Sequence, residues 1–165
     1  MTVFELQALL VGQGADRHAL GRVNEALTNA DLLPTWGYPE TGSPLTPRHV
    51  ATFIMGMTSP KPEGAAGHCT RVSSMIRYDG LSLGEVLTGY FGGDSQDNFI
   101  HELNIGANHA TIRRQRTLSD AFSINGGLAA VAPVVQIRGS LLAQIRLKMQ
   151  HPTVSGWKGE EQAEE

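Results

Sequence analysis

Cysteine is nearly absent: Cys69 is the single one in 165 residues. That excludes an internal disulfide and a thiolate zinc cage. Aromatic residues make up only 6%, so a core has to rest on Leu, Val, Ile and Ala. No apolar run approaches the roughly 20 residues that a membrane helix needs. The first residues carry Glu5 and no basic cluster, unlike a signal peptide, so the expectation is a soluble, cytoplasmic protein with no membrane partner. A Walker A loop, a G-x-S-x-G elbow and the kinase motifs are all missing. Gly12-Gln13-Gly14 opens like a dinucleotide fingerprint, but Arg17 stands where the third glycine belongs. No enzyme and no cofactor is expected.

A strong excess of either charge is missing too. The formal net charge is -3. Residues 1–60 carry a net -2, residues 61–150 a net +2 and residues 151–165 a net -3. Contact with a polyanion must then come from local placement rather than bulk charge.

What is present is a composition suited to a globular chain, 41% hydrophobic and 18% charged, with 19 glycines and 8 prolines to make turns. Val3, Leu6 and Leu10 recur at helical spacing, with Phe4 and Leu9 widening the stripe. Gly12 to Gly14 ends that helix. Asp16 caps a second, whose apolar face is Leu20, Val23 and Leu27, and Pro34 stops it. Residues 35–43 form a turn-rich loop containing Trp36 and Tyr38. Thr46 and Pro47 suit the N-cap and N1 of a third helix, with Leu45 and Val50 as its hydrophobic staple. Val50, Phe53, Ile54 and Met57 then predict an amphipathic stripe.

Residues 59–67 hold Pro60, Pro62 and Gly64 and read as a linker. A modest helix follows, with Val72, Met75 and Ile76 on one side. Ser82 and Glu85 make a capping box with Leu81 and Val86 as staple. The face of that helix is Val86, Leu87, Tyr90 and Phe91, and Gly92-Gly93 ends it. Phe99, His101, Leu103 and Ile105 alternate with Ile100, Glu102 and Asn104, as in a half-buried strand. Residues 106–108 make a hairpin turn, after which Ala110, Ile112 and Arg114 share a face. A strand near 122–124, a glycine turn, a strand over 134–138 and a helix over 140–150 complete the chain, with Leu142, Ile145 and Met149 on one side of the helix. The expected fold class is α+β. A three-helix unit over 1–59 precedes a small α/β unit over 68–151, with an antiparallel hairpin and a C-terminal helix. An acidic, disordered tail occupies 152–165.

The stretch from Gly14 to Asp31-Leu32-Leu33-Pro34, followed by a Gly/Pro loop and the helix opened by Leu45-Thr46-Pro47, resembles a known module. It is similar to the winged helix-turn-helix of MerR-like regulators and of small DNA-binding proteins from temperate phages of Gram-negative bacteria. Asp31 stands where that family often has glycine, and the aromatic pair of the MerR recognition helix is absent. The resemblance covers about a third of the chain. It implies that the second helix enters the major groove of double-stranded DNA, that residues 35–43 form the wing, and that the protein is a homodimer.

On that reading Arg17, His18, Arg22, Glu25 and Asn29 form the DNA-contacting set, and Arg48 reaches a phosphate. His18, Arg22, Glu25 and Asn29 fall at i, i+4, i+7 and i+11, a polar face opposite Leu20, Val23 and Leu27. Arg113, Arg114 and Arg116 are a second basic cluster, read as a phosphate-contacting patch, as a surface for an acidic partner, or as charge protection of an exposed edge strand. His101, Glu102 and His109 lack metal-ligand spacing, and no metal is expected. The function expected is a sequence-specific transcriptional regulator of phage or prophage origin. Two rivals stand beside it. One is a phage protein-interaction module that inhibits a host nuclease or defence complex. The other is a small terminase-type packaging subunit.

Overall fold

Three side chains set the starts of three helices, and each does so locally. Thr2 and Glu5 close a capping box on α1, Val3–Gly12. Asp16 accepts from the backbone N–H groups of His18 and Ala19 and opens α2, Arg17–Asn29. Thr46 accepts from His49 N–H, while His49 Nδ1 accepts from Thr46 N–H, so a histidine serves as the reciprocal partner at the start of α3, Pro47–Gly56. The computed structural model describes residues 1–35, 43–93, 100–114, 119–124 and 134–151.

α2 ends at Asn29, five residues before Pro34, through a Schellman turn. Asp31 N–H donates to Thr28 O and Leu32 N–H to Leu27 O. This puts Asp31 at φ 55°, in the left-handed region that glycine usually occupies.

A 3₁₀ turn, Pro62–Gly64, leads into α4, Ala65–Ser73. Residues 65–67, read as linker from the sequence, are therefore the first turn of a helix. The chain then makes a tight turn over Ile76–Ser82 and enters α5, Leu83–Gly92, through the Ser82–Glu85 capping box. Gly93 ends α5 at φ 86°. Four strands follow: β1, Glu102–Ile105; β2, His109–Arg113; β3, Ser119–Ser123; and β4, Val135–Arg138. β4 passes directly into α6, Gly139–Gln150.

The architecture is mixed α+β, with six α-helices and one four-stranded sheet among the described residues. The sheet is antiparallel throughout, in the order β3-β2-β1-β4. Leu103 faces Ile112 and Ile137, and Ala110 faces Phe122, so one side of the sheet is apolar. The other side carries Glu102, Asn104, Thr111, Arg113, Gln136 and Arg138, as the period of two requires.

The apolar side joins one continuous core that runs from Met1 to Ile145. At its centre lies α3, buried on every side from Val50 to Gly56. This corrects the amphipathic stripe read from the sequence. Ala51, Thr52 and Met55 are covered as well, because α3 packs against α2, α4 and α5, most extensively α5. Gly56 allows the close approach of α2: a Cβ there would sit 2.8 Å from Leu27.

Gly139 is tighter still. A Cβ there would lie 1.8 Å from the carbonyl oxygen of Ile100, and the Gly139 N–H donates to His101 O at 2.9 Å. The chain before β1 is thereby fixed against the start of α6.

Four local expectations fail. Phe4 is 47% exposed, while Val3, Leu6 and Leu10 are buried beneath α1 and Leu9 packs against the core at their edge. Ile76 lies beyond the end of α4 in extended backbone bridged to Ser123, and is exposed. Leu81 is exposed too, so the staple proposed for α5 is not closed, and Leu83 replaces Val86 on the buried face. Regular pairing starts at Glu102, so Ile100 is buried and His101 exposed, the reverse of the alternation expected there. Phe99, the glycine turn after residue 124 and the tail 152–165 lie outside the described residues.

Candidate nucleic-acid interface

Four residues, Gln13 to Asp16, join α1 to α2. Gly14 at φ 94° makes the reversal, and its N–H donates to Val11 O. α2 then buries Leu20, Val23 and Leu27 and turns His18, Arg22, Glu25 and Asn29 outward, all four exposed. The 3.6-residue period accounts for both faces. Arg17 is exposed beside this face at the first helical position.

The outward face is not simply basic. Arg22 Nη1 donates to Glu63 Oε1 at 2.8 Å, across to the 3₁₀ turn. Both side chains are more than half exposed, so the pair is worth under about 1 kcal/mol. Its effect is on position and charge: the guanidinium is directed toward Glu63, and Glu25 adds a second carboxylate nearby. Arg22, Glu25, Asn29 and Glu63 line one shallow depression together.

Arg48 is exposed in the first turn of α3 and does not lie on the outward face of α2. It lines a separate cleft between α3, α4 and α5. Its charge, after burial, lowers the pKa of neighbouring His49. Residues 36–42, most of the loop read as a wing, lie outside the described residues.

Arg113 and Arg114 are placed on opposite sides of β2 and its continuation, each against a carboxylate. Arg113 pairs with Glu102 across β1. Arg114 Nε donates to Asp120 Oδ2 at 2.7 Å. Arg116 lies outside the described residues. Among the described residues no cluster of three metal-ligating side chains forms around His101, Glu102 and His109 or elsewhere.

No known protein family, characterised protein or solved structure matches the chain. No helix among the described residues is long and apolar enough to cross a membrane.

Two features escaped the sequence. The first is an ion cluster beneath the turn Ile76–Ser82. Asp120 Oδ2 accepts from both Arg77 Nη1, at 2.8 Å, and Arg114. Arg77 also grips Asp79 with two parallel bonds. These bonds hold the Asp79 carboxyl down at about 2 and raise the Arg77 pKa. Arg77 lies over the Phe122 ring as well, 5.9 Å from its centroid. The turn is thus stiff, and it displays Ile76, Leu81 and a 92% exposed Tyr78. Asp79-Gly80 is a turn signal, but nothing local announces that Asp120 receives Arg77.

The second is His68, buried in α4. Thr58 Oγ1 donates to Met55 O at 2.7 Å, so it accepts from His68 Nε2 at 2.9 Å. Nδ1 is then left to accept from Arg71 Nη2 at 3.4 Å. Only the neutral imidazole satisfies this chain, and burial, helped by Arg71, lowers its pKa. Cys69, beside it, donates weakly to Thr52 O and is pushed up to about 11 by burial, which leaves it a packing residue rather than a nucleophile.

Proposed function

We propose that this protein is a non-enzymatic, DNA-binding transcriptional regulator of phage or prophage type. α1, the turn and α2 act as a helix-turn-helix with α2 in the major groove, and residues 35–43 act as the wing. The observation that carries the reading is the outward face of α2. His18, Arg22, Glu25 and Asn29 stand exposed in line along it, behind a four-residue turn, with Arg17 at its start. Arginine can pair bidentately with guanine and asparagine with adenine. Glu25 accepts from the amino group of cytosine. Arg48 contacts a phosphate at the edge of the footprint. One such unit buries too little surface for tight specific binding, so the regulator binds as a homodimer on two half-sites.

The test is fluorescence anisotropy with duplex DNA from upstream of the gene and with a scrambled duplex, across a salt series. Sequence-dependent binding that weakens as salt rises is expected. Unchanged affinity in a folded Arg17→Ala/Arg22→Ala double variant would sink the role of α2. Light scattering separates the dimer from the ring expected of a packaging subunit.

A second reading rests on the stiff turn at Ile76–Ser82. Its exposed Ile76, Tyr78 and Leu81 suit a protein-interaction module of the kind that inhibits a host nuclease or defence complex. Capture of one host protein that survives nuclease treatment and is lost in Tyr78→Ser would favour this reading over DNA binding.

A further inference from the structure

The two edges of the sheet differ. Beside β3, Ile76 N–H donates to Ser123 O at 3.1 Å and Ser123 N–H to Ile76 O at 3.2 Å, so the turn Ile76–Ser82 sits against that edge. β4 forms the other edge and pairs only with β1 among the described residues. Gly139 N–H donates inward to His101 O, in step with the pairs Ile137–Leu103 and Val135–Ile105. The alternation of an antiparallel ladder then turns the backbone N–H and C=O of Gln136, and the N–H of Arg138, away from β1. No backbone group among the described residues pairs with them. Such an edge is a template for another strand. No bulge interrupts its pairing, its single charge, Arg138, stands at its end, and Val134 and Val135 beside the open groups are 43% and 38% exposed.

This edge is complementary to itself. Let two copies of β4 run antiparallel about a two-fold axis at Gln136. Each Gln136 then faces the other, and their outward N–H and C=O groups exchange two hydrogen bonds. The two side-chain amides, each both donor and acceptor, meet on the polar side. Val134 comes to lie against the alkyl stem of the copy's Arg138. The two Arg138 side chains stay about 14 Å apart along the strands, four residues on, so no like charges are opposed. Val135 faces the copy's Ile137 on the apolar side. There a groove of about 380 Å³ lies between Ile137 and Leu141 on one hand and Gln13 and Ala15 of the α1–α2 turn on the other. The copy's Val135 enters that groove and loses its exposure.

We propose that the open edge of β4 is a self-association site, where a second copy of this chain adds its own β4 antiparallel and the two sheets join as one. The symmetric match about Gln136 is what favours a second copy over an unrelated extended peptide. Four residues a side make a small contact, so the dimer is reversible on dilution. The site gives the homodimer named above a surface, but it rests on the strand edge and not on DNA contact by α2.

The test is light scattering on the full chain over a range of concentrations, without DNA, so that its failure and that of the DNA reading are told apart. A dimer that dissociates on dilution is expected. Gln136→Lys and Gln136→Glu each oppose like charges at the axis, and each is expected to be monomeric where the wild type is dimeric. An equimolar mixture of the two variants restores the dimer. Tyr78→Ser, at the other edge of the sheet, leaves the dimer unchanged. Circular dichroism establishes folding. If either charged variant is unfolded, Gln136→Pro takes the place of the pair, since proline there deletes only the outward N–H, and loss of the dimer is expected. A chain that stays monomeric at every concentration overturns the site. So does a dimer that persists in the Gln136 variants or is lost in Tyr78→Ser, because the interface then lies elsewhere. Loss in both charged variants without recovery in the mixture overturns the antiparallel pairing about Gln136.

Discussion

Arg22 on α2 reaches across 41 residues of chain to Glu63 and meets its carboxylate at 2.8 Å. The most central cation of the outward face of α2 is therefore neutralised by a residue from a different segment. Removing that carboxylate frees the guanidinium and takes one negative charge from the surface. Glu63→Gln should raise affinity for duplex DNA about threefold at low salt, with stability changed by less than about 0.5 kcal/mol. Anisotropy titrations beside urea denaturation check both halves. A fall in DNA affinity would mean that the pair positions Arg22 for use.

Asp31 occupies a left-handed position at the end of α2, exposed and with a Cβ. Glycine adopts this conformation without the steric cost. Asp31→Gly should stabilise the fold by ~0.5–1 kcal/mol, and Asp31→Val should destabilise it by at least as much. Chemical denaturation midpoints at constant slope report the difference.

Arg77 serves two carboxylates while only 13% of its side chain is exposed. Arg77→Met leaves Asp120 partly buried with only Arg114 to answer it. A loss of ~2 kcal/mol is expected, smaller in the double variant Arg77→Met/Asp120→Asn, where the orphaned charge is gone too. Equal losses in single and double variants would show that packing on Phe122, rather than charge, holds the turn.

His68 and His49 both have pKa values lowered from 6.5, chiefly by burial. A lowered histidine pKa means that the unfolded chain binds more protons than the folded one. Stability is thus fully present above about pH 6.5 and falls as the pH drops through and below that value. The carboxylates with lowered values, Asp79, Glu85 and Glu102, enter only below their own ordinary values of 3.8 to 4.5. The interval from about pH 6.5 to 5 therefore isolates the histidines. Melting temperature should fall across it in the wild type and fall less in His68→Gln. A flat profile would contradict the neutral hydrogen-bond chain through Thr58.

What the sequence made legible was what neighbours decide. Asp16, Thr46 and Ser82 cap helices because a side chain meets a backbone N–H two or three residues on, and such spacing is visible in a string of letters. The hairpin at residues 106–108 and the outward face of α2 follow from simple periods in the same way. The failures share the opposite cause. Burial of α3 on all sides depends on α4 and α5 arriving from later in the chain, although eight residues without a charge, Val50 to Met57, were a signal for it. Phe4 fits the apolar stripe of α1 yet stays about half exposed, because no later element covers it fully. The pairs Arg22–Glu63 and Arg77–Asp120 join residues that no period relates. The cleft beside Arg48 exists only once three helices have met.

The all-round cover of α3 has a thermodynamic consequence. Strip away residues beyond 59, and the surface of α3 that α4 and α5 cover turns to water, so the N-terminal helices cannot melt last or fold first on their own account. Heating should give one transition, with equal calorimetric and van't Hoff enthalpies, and hydrogen exchange at the centre of α3 should occur only through the unfolding of the whole chain.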